Sequence, residues 1–148
     1  MKKALVTTIS VAVLLIAILT ISTGTTFNQK KDSAPIQGTW QLVSYKYGAA
    51  SSSFSDCSEN IRHIKVINET HFIWVIFDTL SRRVVSSAGG SYTLKGNTYT
   101  ESIDFGLEMD PYLKNKCPYT VKVEEDMLFQ SGFLTPTYKI EEIWKRVK

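Results

Sequence analysis

Beyond residue 35 the chain is a succession of short runs rich in β-branched and aromatic residues, each closed by a turn signal, a pattern that predicts an antiparallel all-β protein. The runs are Thr39–Tyr47, Ile61–Ile67, His71–Asp78, Val84–Ala88, Ser91–Leu94, Thr98–Phe105, Tyr119–Glu124, Met127–Leu134 and Tyr138–Val147. Asn68-Glu69-Thr70, Lys95-Gly96-Asn97 and Glu124-Glu125-Asp126 are connectors of hairpin length that carry the Asn, Asp and Gly tight turns need. Hairpins between nearest neighbours make a meander. Gly89 and Gly90 interrupt an extended stretch, where glycine marks a bulge or a sharp bend, so 84–94 is expected to be one bent strand and the total eight. After the N-terminal apolar run no helical period occurs, and only the stretch 107–116 has room for a turn of helix.

Eight meandering strands bury an apolar face either in two packed sheets or in a closed barrel, and closure removes the exposed edges. The strand faces favour the barrel. Period two places Glu101 on one face with Tyr99, Ile103 and Phe105, and Glu142 on one face with Tyr138, Ile140, Trp144 and Arg146. In His71–Asp78 both faces are apolar. Carboxylates among aromatics suit a partly polar lumen better than a dry sandwich core. The fold class expected is an eight-stranded antiparallel up-and-down barrel, just wide enough for its own side chains or one small ligand.

Gly38-Thr39-Trp40, at the head of the first strand, resembles the Gly-x-Trp signature of lipocalins. The stretches GTWQLVSYKYG, THFIWVIFD, GGSYTLKGNTYTESIDFG, YTVKVEEDMLFQSG and IEEIWKR extend this to the small exported lipocalin-like domains of bacteria, along nearly all of 36–148. The resemblance implies a β-barrel that binds a small apolar or amphipathic molecule, with the Trp plugging its closed end under an Arg of the last strand, here Arg146. Gly38, Trp40 and Arg146 are therefore the expected closure. A large ring beneath a guanidinium also seals such an end on physical grounds, with a cation–π contact of about 0.5–2 kcal/mol.

Ahead of the barrel, residues 1–24 carry Lys2 and Lys3 and then no charge until Lys30, around the apolar centre 11–19. This predicts an export signal cut after Gly24, with Ser22 and Gly24 as the small residues of the cleavage site. The rival is an uncleaved membrane anchor, since 4–21 is long enough to span. Residues 25–35 form the expected tether and 36–148 the barrel. The place of action is then outside the cytoplasm: periplasmic, secreted or anchored to the outer side of a membrane. Without 1–24, the 17 basic residues less Lys2 and Lys3 face 14 acids, leaving +1, no footprint for nucleic acid. Export makes a Cys57–Cys117 disulfide the leading expectation, with two free thiols as the alternative.

For a ligand, the candidates are Trp74, Tyr92, Tyr99, Glu101, Glu142 and Trp144: aromatics with a polar tip suit an amphipathic guest, and a carboxylate orients its polar end. The competing expectation is ordinary core, with both acids paired to Arg62, Arg146 or a Tyr hydroxyl, because buried carboxylates must be compensated. His63 and His71 lack a third ligand for a metal, and no cofactor motif occurs. There is no nucleophile elbow, zinc-protease helix motif or phosphate loop, so a non-enzymatic role is expected. The function expected is an exported carrier of a small apolar or amphipathic compound. Its alternative is a cell-envelope interaction module with a filled barrel, which meets an unspecified protein through the connectors 49–60 and 107–116.

Overall fold

A computed structural model describes residues 36–48 and 53–148; the expected signal or anchor, the tether and part of the connector 49–60 lie outside the described residues. The strands are β1 (Gly38–Tyr47), β2 (Ser55–Asp56), β3 (Ile61–Ile67), β4 (His71–Asp78), β5 (Val84–Lys95), β6 (Thr98–Leu107), β7 (Lys116–Glu124), β8 (Met127–Thr135) and β9 (Tyr138–Arg146). From β3 onward each strand pairs antiparallel with the next; β1 pairs with β3 and also with β9, from Trp40 opposite Arg146 to Tyr47 opposite Ile140. The two-residue β2 joins only the outer part of β1, so the closed ring is the other eight strands. Asp110–Tyr112 is a single 3-10 turn, with a proline at its start, inside the stretch expected to hold one.

Local chemistry fixes the turns. The Asn68 Oδ1 accepts hydrogen bonds from the backbone N–H groups of Thr70 and His71, at 2.9 and 2.8 Å, and this side-chain turn reverses the chain between β3 and β4. Gly96 adopts a φ of 59° in the β5–β6 hairpin. These turns, the β7–β8 turn and both ends of the ring lie at one end of the barrel. The longer connectors gather at the other.

Alternation places the core. On β7, Cys117, Tyr119 and Val121 are buried, and on β9 Ile140, Glu142 and Trp144, with exposed or half-buried residues between. On β3 the pattern is inverted: His63, Lys65 and Ile67 face inward while Val66 is 40% exposed. Trp74 and Phe72 share the inner face of β4, and its outer face is apolar as well and exposes Ile73.

The bend in β5 is real and continuous. Gly89 opposes Phe105 and Gly90 opposes Ile103, so Asp104 is an extra residue on β6. That bulge corrects one expectation: Phe105 leaves the face of Tyr99, Glu101 and Ile103 and is 54% exposed. Its ring lies where a side chain on Gly89 would sit, and a Cβ on Gly90 would strike the Ser102 carbonyl.

The disulfide expectation is also corrected. Cys57 and Cys117 are both free. Cys57 lies beyond β2, its N–H bonded to the Val43 carbonyl of β1, while Cys117 lies on β7, with β8 and β9 between.

Candidate functional site

The closed end is built on Trp40, which is fully buried. Its Nε1–H donates to the Ile36 carbonyl at 2.9 Å, and the Arg146 guanidinium stacks on its ring at 4.0 Å. Arg146 also donates to the Gln37 carbonyl at 2.7 Å. Gly38 makes room for this stack: its φ is 141°, and a Cβ there would collide with the Arg146 guanidinium. Glycine, tryptophan and arginine thus act as one plug.

Above the plug lies a polar layer. Lys65, 2% exposed, donates to Glu101 Oε1 at 2.9 Å and to Gln130 Oε1 at 3.1 Å. Its ammonium also sits 4.9 Å from the Trp144 ring centre and 5.9 Å from that of Tyr99. Glu142, 5% exposed, accepts from the Tyr47 hydroxyl at 2.7 Å and from Trp144 Nε1–H at 3.1 Å. Burial pushes the Glu142 carboxyl above the usual range, opposed by the Lys65 charge and the Tyr47 hydrogen bond and reinforced by Glu101. Burial likewise drives the Tyr47 and Tyr119 hydroxyls upward, so both stay protonated.

His63 packs edge-on against Trp74 and Trp144, at ring separations of 5.3 and 4.7 Å. Burial, with the nearby Lys65 charge, lowers its pKa to about 3, which keeps the ring neutral. Its Nε2 is buried without a hydrogen-bond partner. His71 is exposed and bonded to the Thr70 hydroxyl. Among the described residues no three His, Cys, Asp or Glu side chains gather as a metal site would require.

Over this layer opens a cavity of about 250 Å³ that reaches the end with the long connectors. Its polar floor is Lys65, Glu101, Gln130 and Glu142, and its walls include Trp74 and Trp144. Tyr47 and Tyr138 stand toward the mouth, their rings 6.3 Å apart, with Met109 and Tyr112 from the connector after β6.

Of the six sequence candidates, Trp74, Glu101, Glu142 and Trp144 border this space, whereas Tyr92 and Tyr99 do not. Tyr92 donates its hydroxyl to the Asn68 carbonyl at 2.8 Å and packs, tilted, against the Tyr99 ring at 5.0 Å; Tyr99 is fully buried. Lys65 and Gln130 escaped sequence reasoning, as did Tyr47. The signal for Lys65 was chemical: Glu101 needed a buried cation, and neither Arg62 nor Arg146 supplies it.

Residues 35–148 match the family model described as Domain of unknown function (DUF4488). No curated protein matches the chain. Among solved structures, a lipocalin-like protein from Bacteroides uniformis superposes with a TM-score of 0.56 at 17% sequence identity, over 77% of this chain and 100% of that chain. That likeness establishes a lipocalin-like barrel.

Proposed function

The chain belongs to the DUF4488 family, and from its lipocalin-like barrel we propose that it is an exported binding protein that holds one small amphipathic molecule in the lumen. The observation that carries this reading is the two-part character of the cavity: a floor of hydrogen-bonding groups beneath walls of aromatic side chains, open at one end. Such a site orients a polar head downward and covers an apolar body. Pockets for larger guests run to about 300–1,000 Å³, so this one suits a small guest. Glu101 and Glu142 serve there as acceptors tied to Lys65, Tyr47 and Trp144, a role in binding rather than in catalysis.

Native mass spectrometry tests the reading. Protein recovered from the cell envelope without denaturation should carry a discrete extra mass that refolding removes. A bare mass in both samples, with no uptake of added small amphiphiles, would sink it and favour the filled-barrel interaction module. The self-satisfied floor and the apolar residues exposed on the outer faces of β3, β4 and β6, such as Val66, Ile73 and Phe105, support that second reading.

A further inference from the structure

The binding reading leaves the chemistry of the guest open, and the charges around the cavity narrow it. Lys65 commits two of its three N–H groups to Glu101 and Gln130, and its ammonium lies over the Trp144 ring. No cation is therefore left on the floor for an anionic guest, which would meet two carboxylates instead. Glu142 differs from Glu101. Its oxygens accept from two neutral donors, Tyr47 Oη and Trp144 Nε1, and among the described residues no Lys, Arg or His nitrogen lies within 4.0 Å of them. Neutral donors satisfy lone pairs but do not balance charge, and the Lys65 charge that reaches Glu142 from farther off is already in contact with Glu101, so the two buried carboxylates share one cation.

The missing partner has a place to stand. Glu142 borders the cavity, and so do the rings of Tyr47, Trp74, Tyr138 and Trp144, whose electron-rich faces attract a cation. Size sets the other limit: a cavity of about 250 Å³ lies below the roughly 300–1,000 Å³ of pockets for drug-sized ligands. Resting on the binding reading, we infer that the guest is a small organic cation, an ammonium group joined to an apolar body that fits this cavity, with the ammonium seated on Glu142.

Titration of the full chain, followed by tryptophan fluorescence, tests this with three probes on one skeleton: phenethylammonium, 2-phenylethanol and phenylacetate. Phenethylammonium should bind at least about tenfold tighter than the alcohol, and phenylacetate weakest of all. Glu142→Gln should bring the amine and the alcohol to within about threefold of each other. Equal or tighter binding of the alcohol, or tightest binding of phenylacetate, overturns the inference and leaves the binding reading standing. Persistence of the amine preference in Glu142→Gln overturns the assignment to Glu142. The probe series on the unaltered protein decides the charge question even if the variant does not fold. Binding of none of the three removes the inference, and with a bare native mass it removes the binding reading as well.

Discussion

Lys65 sits almost wholly out of water, a position an ammonium holds only with a partner such as Glu101 at 2.9 Å. The pair therefore stands or falls together. Lys65→Ala should cost about 3–5 kcal/mol in denaturant unfolding because it strands the Glu101 carboxylate, and Lys65→Met with Glu101→Leu should recover most of that loss. A double replacement as damaging as the single one would show that the charges do more than cancel each other. His63 gives a second residue-scale expectation. Its pKa falls from 6.5 in the unfolded chain to about 3 in the folded one, so unfolding takes up a proton between those values. The stability its neutral ring contributes is intact above pH 6.5 and drains away as pH falls toward 3. Glu142, raised in the folded state, acts in the opposite sense: its contribution is present at low pH and shrinks as pH rises through the range above 4.5. Melting curves of His63→Phe should thus lose less Tm than the unaltered protein between neutral pH and about pH 4.

At the scale of elements, the bulge on β6 does two things: it turns Phe105 outward and brings the β5 backbone against Ser102 at Gly90. Gly90→Ala should destabilise the barrel by about 2 kcal/mol or more, as the nearest obstacle to a Cβ there is backbone, the Ser102 carbonyl, which cannot swing aside. An unchanged melting temperature would mean that the strands can slide apart there. Strand positions were legible because turn chemistry and β-branched runs are local, and even the Gly89-Gly90 bend was written in the residues themselves. Facing was less so. Phe105 follows an extra residue whose presence depends on the partner strand, and β3 hides a lysine and a histidine on its inner side while showing Val66 to solvent. A hydropathy pattern read on one strand points such an element the wrong way. The cysteines failed for a related reason: sixty positions of sequence say nothing about how many strands lie between β1 and β7.

The barrel as a whole is layered along its axis, and the layers divide stability from binding. Tyr99 belongs to the packed lower half and Trp74 to the cavity wall. Tyr99→Ala should cost about 3–5 kcal/mol, whereas Trp74→Ala should weaken guest binding with a far smaller loss of stability. Equal stability losses in the two variants would show that the cavity wall is core. The plug was readable in advance through the resemblance of Gly38-Thr39-Trp40 to the lipocalin signature, which implied Arg146 as its cover; the floor was not, because Lys65, Glu101, Gln130 and Glu142 meet only once four separate strands curl together. That curling also settles how much the order of the strands along the chain matters. β1 and β9 are hydrogen-bonded neighbours, and the Val147 N–H reaches the Thr39 carbonyl at 2.8 Å, so the two ends of the barrel sequence already touch. A gene rewired to join those ends through a short linker and to open instead at Gly96 should give the same barrel, with the same plug and the same chamber. A ring can be cut at any exposed link, and which strand comes first is then an accident of where the scissors fell.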